Sequence, residues 1–261
     1  MTKKAKKAKK IKKPSLWLFA SEPGRAALEY GLFLAGQSIL NRMPKGDDHP
    51  VLVLPGFMAT DTSTRPLRRF LDKSGYQAIP WGIGRNLGRT EYIDLLNEKL
   101  LKLCKEHGQK VSVIGWSLGG VYARELARNC PDQVRQVITL GSPFAGLNEK
   151  TNVSWLYNII TGNKVEDLDG DFLAEILKAP PVPLTAIYSK WDGVVNWQTC
   201  IEQDERTDIQ NVRVVGSHCG LGHNIAVLMC IANRLAQPTT DWQLFKPNWA
   251  TKKLYPGLVL G

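Results

Sequence analysis

A serine between two glycines marks the stretch of the chain best equipped for chemistry. Gly115, Ser117 and Gly119 form a G-x-S-x-G pattern between a β-branched run at 111–114 and a helix-compatible segment at 121–128. A bare G-x-S-x-G often marks only a glycine-rich turn, but here a strand and a helix flank it, as a nucleophile elbow requires. The serine then occupies a strained corner, and the glycines allow strand and helix to pass closely. The pattern therefore predicts that Ser117 is a nucleophile.

The four histidines are sorted by where they fall relative to the predicted strands. In a mostly parallel sheet, reactive loops lie at the carboxyl ends of the strands. His49 precedes a strand and His107 closes the helix before the Ser117 strand, so both lie at the wrong end. His218 and His223 follow the last strand. We expect His218, which stands in the loop itself, to be the general base, with His223, in the first turn of the predicted last helix, as the alternative.

We expect the acid that orients His218 to lie in the loop that follows the second-to-last strand. Asp192 lies in a turn with Gly193, a few residues after the predicted strand at 183–188. The chain order Ser117, Asp192, His218 is the order expected for a hydrolase triad on such a sheet. Other aspartates lie in an insertion or in a charged, solvated stretch: Asp167, Asp169, Asp171, Asp204 and Asp208.

The elements that must position these residues alternate between strand and helix. The continuous apolar run at 51–54 is typical of a strand buried on both faces, and Gly56 follows it in a loop with free N–H groups. Helical spacing predicts helices over 65–73 and 91–107, and further strands are predicted over 76–81, 134–140, 183–188 and 212–215, with a last helix to 235. This alternation predicts an α/β fold, a mostly parallel central sheet flanked by helices.

The chain is expected to form one domain over residues 15–261, after a Lys-rich disordered tail over 1–14. Residues 15–50 form a helical preface. Residues 144–180 interrupt the alternation with apolar patches, and we interpret them as a small helical cap or lid over an acyl-binding pocket. An ordinary crossover helix is the alternative.

The formal net charge of +10 comes mainly from the tail. Eight of the 34 basic residues precede residue 14, which leaves 26 against 24 acidic residues in the rest of the chain. We interpret the tail as solubilising, with a weak tether to anionic lipid or nucleic acid as the alternative. Because the body of the chain is nearly neutral, no nucleic-acid partner is expected.

The apolar segments are too short or too interrupted for a signal peptide or a membrane span. The run at 16–20 is shorter than a signal-peptide core, and 26–40 contains polar residues and glycines. We expect a cytoplasmic protein, with a peripheral position at a membrane surface as the alternative. The five cysteines include no C-x-x-C pair and are expected to be mainly buried, reduced thiols rather than a disulfide framework or a zinc site.

The chain resembles α/β-hydrolase-fold serine esterases and lipases over roughly residues 51–235. The resemblance rests on Leu54-Pro55-Gly56-Phe57, Gly115-Trp116-Ser117-Leu118-Gly119-Gly120, Thr139-Leu140-Gly141-Ser142-Pro143, Ser189-Lys190-Trp191-Asp192-Gly193 and His218-Cys219-Gly220-Leu221. The last segment is similar to the His-x-Gly-Leu of bacterial lipases. The resemblance implies that the N–H groups of Phe57 and Leu118 form the oxyanion hole. Many relatives have His-Gly where this chain has Pro55-Gly56, so a side-chain role for that histidine is absent here.

The predicted activity is hydrolysis of a carboxylic ester, from an ester or lipid substrate, through a Ser-His-Asp triad and an acyl-enzyme. Neither a metal nor an organic cofactor is expected for this chemistry. Acyl transfer to an alcohol by the same triad is one alternative. A non-catalytic lipid-binding or scaffold protein of the same fold is the other. The sequence does not indicate an oligomeric state.

Overall fold

A parallel sheet of six strands forms the centre of the protein. The computed structural model describes residues 13–145 and 178–257. The strands in chain order are β1 (Pro50–Leu54), β2 (Gln77–Pro80), β3 (Val111–Trp116), β4 (Val134–Leu140), β5 (Leu184–Ser189) and β6 (Ile209–Val214). They lie in the order β2-β1-β3-β4-β5-β6, and every neighbouring pair is parallel. The predicted fold class is therefore confirmed.

Six α-helices accompany the strands in the described parts of the chain. They are α1 (Leu16–Ala35), α2 (Gln37–Leu40), α3 (Arg65–Lys73), α4 (Glu91–His107), α5 (Leu118–Asn129) and α6 (Ile225–Leu235). Short 3₁₀ segments cover Trp197–Cys200, Leu221–His223 and Lys252–Leu254. Helices α3 and α4 have the predicted bounds. Gly108 ends α4 in the left-handed conformation, with φ 61°, which a glycine adopts without steric cost.

Two hydrophobic layers cover the two faces of the sheet. Val51 and Val53 of β1 pack into the layer formed with α3 and α6, whereas Leu52 and Leu54 pack into the layer formed with α4 and α5. Successive side chains of a strand point to opposite faces, so a strand covered on both sides needs a continuous apolar run. This is the physical reason why the run at 51–54 predicted the strand correctly.

The connections reverse direction at β1. From β1 the chain passes through α3 to β2 on one side, and then through α4 to β3 on the other side of β1. Such a reversal opens a crevice at the carboxyl ends of the neighbouring strands β1 and β3. The loops after β1 and β3, which carry Phe57 and Ser117, meet at this point.

Several local predictions need correction. Strand β6 begins at Ile209, three residues before the predicted start, because the chain at 209–211 pairs with β5. His223 ends a short 3₁₀ segment and does not lie in the first turn of α6, which begins at Ile225. All five cysteines are free, but only Cys200 and Cys230 are buried, and Cys219 is exposed.

Parts of the predicted organisation fall on residues that the structure does not describe. The predicted cap spans 144–180, of which 146–177 lie outside the described residues. Residues 1–12 of the predicted tail also lie outside them. Within 13–145 and 178–257, no helix is both long and apolar enough to cross a bilayer.

Candidate active site

Ser117 stands at a strained turn between β3 and α5. Its backbone has φ 53° and ψ −122°, a combination that is costly for a residue with a Cβ. A Cβ at Gly115 would overlap the backbone of Gly119 and Gly120 across the turn. These glycines therefore let the strand and helix approach closely enough to hold the strained serine, as the sequence pattern predicts for a nucleophile elbow.

The loop after β1 holds the first predicted oxyanion donor beside the serine. A Cβ at Gly56 would lie 3.1 Å from the Cβ of Ser117. The buried side chain of Asn86 donates to Pro55 O at 2.9 Å, and Asn86 O accepts from Met58 N–H at 2.7 Å. Asn86 thus fixes both flanks of Phe57. Across the described residues, no acceptor is bonded to the Phe57 N–H.

The second predicted donor is Leu118, the first residue of α5. The N–H groups of a first helical turn have no acceptor within their own helix. The helix N-terminus also favours negative charge. Phe57 and Leu118 thus place main-chain N–H groups just beyond the ends of β1 and β3, the two strands that flank the crevice.

Asp192 and His218 form a buried acid–histidine pair. His218 Nδ1 lies 2.6 Å from Asp192 Oδ2. The other oxygen of Asp192 accepts N–H bonds from Val194 at 2.8 Å and Val195 at 2.7 Å, which fixes the carboxylate. Burial alone lowers the pKa of His218, but the charge of Asp192 and its hydrogen bond raise it by more. A smaller contribution from Glu22 adds to them, so the pKa of His218 lies above its usual 6.5.

The pair and the serine meet around the end of β4. Ser117 N–H donates to Leu140 O at 2.8 Å. At the next residue, Gly141, a Cβ would lie 3.1 Å from Asp192 Oδ2 and 3.2 Å from His218 Nδ1. Trp116, next to the serine, donates from Nε1 to His218 O at 3.1 Å. The structure thus brings the predicted nucleophile, base and acid to one edge of the sheet.

Glu22 of α1 ties the loops of the acid and the base together. Its side chain is buried, at 3% exposure. Its carboxylate accepts N–H bonds from Gly193 at 2.8 Å, His218 at 3.0 Å and Cys219 at 2.9 Å. Burial raises the pKa of Glu22, but these bonds and the charge of Arg25 lower it by more, and the carboxylate stays ionised. The sequence prediction did not identify this residue.

The other charged residues of α1 also face the site. Arg25 donates from Nη1 to Trp191 O at 2.6 Å. Glu29 accepts from Ser217 N–H at 2.7 Å and from Asn224 Nδ2 at 2.9 Å. Glu22, Arg25 and Glu29 are spaced at i, i+3 and i+7, so they share one helical face. That spacing is the sequence signal that points to them.

His223, the alternative base, lies against α1 instead of Asp192. Its Nε2 is 3.0 Å from Ala26 O, and its ring meets Tyr30 edge to face at 5.4 Å. Cys219 beside His218 is a poor nucleophile although the residue is exposed, because partial burial of its thiol and the charge of Glu22 raise the pKa of the thiol to about 11.

A second Ser-His-Asp group lies at the amino-terminal edge of the sheet. His49 Nε2 is 2.9 Å from Ser112 Oγ, and His49 Nδ1 contacts Asp47. Both Ser112 and His49 are fully buried. Burial lowers the pKa of His49, and the nearby Arg135 lowers it further. Ser112 lies inside β3 without a strained turn or a helix N-terminus, so the group is a buried polar network and not a reactive site.

Comparison with known protein families finds a match to the central part of the chain. The model of the palmitoyl protein thioesterase family matches residues 50–191, more than half of the 261-residue chain. The matched range includes Phe57, Ser117 and Leu118 and ends one residue before Asp192. No curated protein sequence matches the chain.

Hydrolases are among the solved structures that have a similar fold. Lipase B of Aspergillus fumigatus superposes with a TM-score of 0.57 at 16% identity, over 75% of this chain and 55% of the lipase, so the chain spans only about half of that enzyme. A monoacylglycerol lipase of Paleococcus ferrophilus gives 0.51 at 12% identity, over 73% of this chain and 96% of the lipase. A pyrethroid hydrolase gives 0.51 at 15% identity, over 74% and 99%. At these identities the likeness establishes the α/β-hydrolase fold.

Proposed function

Because the chain belongs to the palmitoyl protein thioesterase family, we propose that it hydrolyses carboxylic esters with Ser117 as nucleophile, His218 as base and Asp192 as acid. The observation that carries the proposal is the 2.6 Å pair of His218 Nδ1 and Asp192 Oδ2 at the strand edge where Ser117 is held at φ 53°. Since Asp192 engages Nδ1, Nε2 is the nitrogen that remains for proton transfer.

The reaction proceeds in two halves. Ser117 Oγ attacks the acyl carbon while His218 takes its proton, and the N–H groups of Phe57 and Leu118 stabilise the oxyanion. One such donor is worth about 3–4 kcal/mol of transition-state stabilisation. His218 then protonates the departing alcohol, and an acyl-Ser117 ester remains. Water, deprotonated by His218, releases the acid and restores the serine.

Thioesters are the second candidate substrate class, because the family model carries that activity in its name. The same two half-reactions apply, with a thiolate as the leaving group. A thiolate needs less help from His218 than an alkoxide does, since its conjugate acid is much stronger. Thioester cleavage should therefore depend less on a protonated His218 in the acylation step.

The test measures p-nitrophenyl esters and acyl thioesters with short, medium and palmitoyl chains on the wild type and on variants. Ser117→Ala and His218→Ala should each lose activity by roughly 10³-fold or more. His223→Ala is the matched control, because its ring contacts α1 and not Asp192. Equal loss in His218→Ala and His223→Ala, or activity retained in Ser117→Ala, would contradict the assignment. Product analysis with an added alcohol distinguishes hydrolysis from acyl transfer.

A further inference from the structure

Helix α1 has its charged side chains inside and its apolar side chains outside. Its charged residues are Glu22, Arg25 and Glu29, and all three bond to the loops of the site. Its outward side exposes large apolar side chains, namely Leu16, Trp17, Phe19, Leu28, Tyr30, Leu32 and Leu34. A helix on the surface of a globular protein ordinarily shows the reverse arrangement. The outer face of α1 therefore has the composition of a contact surface.

The exposed face is too large to be a chance scatter of apolar side chains. It runs along a helix of 20 residues and includes no charged residue. Trp191 and Val194 flank Asp192 on the loop that Arg25 holds, and they are exposed as well. Continuous exposed apolar surface of this kind marks a binding site for a protein or a membrane.

We propose that this face docks on an anionic lipid bilayer. The chain that leads into α1 carries eight lysines between residues 3 and 13, and no acidic residue precedes Glu22. Lysines beside an apolar helix supply the two attractions that a peripheral helix needs, one to anionic headgroups and one to the acyl region. A second copy is a poorer occupant, because two chains of net charge +10 would meet.

Docking would place the catalytic edge beside the membrane. The inward face of α1 bonds to Gly193, His218 and Ser217, on the loops of the acid and the base. An acyl substrate held in the bilayer would therefore reach the site over a short path. This consequence rests on the proposed function, whereas docking itself does not.

The test is co-sedimentation of the full chain with vesicles of phosphatidylcholine that contain about 30% phosphatidylserine, at roughly 0.1 M salt. The double variant Leu28→Glu/Leu32→Glu changes two residues of the outer face that are 66% and 53% exposed. The matched control Leu95→Glu/Leu101→Glu changes two leucines of α4, each 49% exposed, and adds the same charge. We expect the α1 variant to lose vesicle affinity by about tenfold or more and the control to lose much less.

Three results would overturn the proposal. The first is a wild type that does not sediment with the anionic vesicles. The second is an equal loss in both double variants, or none in the α1 variant, since the lysines alone would then account for binding. The third is a wild-type dimer in light scattering that Leu28→Glu/Leu32→Glu converts to a monomer. Ser117→Ala should bind vesicles like the wild type, so failure of the catalytic assignment and failure of docking can be told apart.

Discussion

The carboxylate of Glu22 offers the sharpest test of how the site is held together, through the substitution Glu22→Gln. Three main-chain N–H groups and the Arg25 guanidinium converge on this carboxylate, at 2.8 to 3.0 Å. Glutamine keeps the shape and one acceptor oxygen, but its NH₂ group must then face an N–H donor. Each bond that loses its charge is weakened by about 1 kcal/mol, and an unsatisfied buried N–H costs about 1–3 kcal/mol. Relief from burying a charge offsets part of this loss.

We therefore expect Glu22→Gln to lower the free energy of unfolding by about 2–3 kcal/mol. Two effects on activity should accompany it. The loops of the acid and the base lose their shared anchor, so kcat should fall roughly tenfold or more. The negative charge of Glu22 also helps to raise the pKa of His218. Its removal lowers that pKa, so the acid limb of kcat/KM should move to lower pH.

The assay combines urea unfolding with kcat/KM measured over pH on a p-nitrophenyl ester. Glu29→Gln is the matched control, because it removes a carboxylate of the same helix that bonds to Ser217 and Asn224. Glu29 is not among the charges that shift the pKa of His218. This control should therefore lose stability without moving the acid limb of kcat/KM. A Glu22→Gln enzyme with reduced stability but wild-type kcat and acid limb would refute the positioning role, as would a limb that moves to higher pH.

Three further predictions concern the same edge and its buried counterpart. Since the pKa of His218 is raised and the base must be neutral, kcat/KM of the wild type should rise with pH through a limb above 6.5, and a limb below that value would contradict this. Gly141→Ala places a Cβ 3.1 Å from Asp192 Oδ2 at φ 55°, so kcat should fall by more than stability explains; unchanged kcat would contradict it. Ser112→Ala should cost about 1–3 kcal/mol in urea unfolding, because it removes the partner of the buried His49 Nε2, and it should leave kcat unchanged, because Ser112 lies at the opposite edge of the sheet.

Local sequence signals predicted the parts of the structure that local physics decides. The bounds of α4 follow from apolar spacing and from Gly108, because a glycine has no Cβ and adopts φ 61° without steric cost. The run at 51–54 predicts a doubly covered strand, because both of its faces must be apolar. The turn at Ser117 was recognisable since its glycines are neighbours in sequence as well as in space.

The anchoring role of α1 was out of reach of such signals. Glu22 meets His218 and Cys219 across nearly two hundred residues of chain, and no local pattern fixes that contact. The prediction of a helical preface did not say which face of the helix turns inward. Burial of the charged face of α1 is favourable only because the loops of the site supply N–H groups that need acceptors. The positions of those loops are set by the strands of the sheet. A spacing of i, i+3, i+7 could show only that the charges share one side.

The two Ser-His-Asp groups of this chain show what the residue types leave undecided. Ser112 and Ser117 lie on the same strand, and each edge of the sheet pairs a histidine with a carboxylate. At the amino-terminal edge, burial dominates and lowers the pKa of His49, whose serine is held inside the strand. At the carboxyl edge, burial also lowers the pKa of His218, but Asp192 and Glu22 together outweigh it and raise that pKa. There the serine also sits at φ 53° in front of a helix N-terminus. We therefore expect reactivity to depend on where the strand ends and how its backbone is strained, and the proposed triad to act only within that frame.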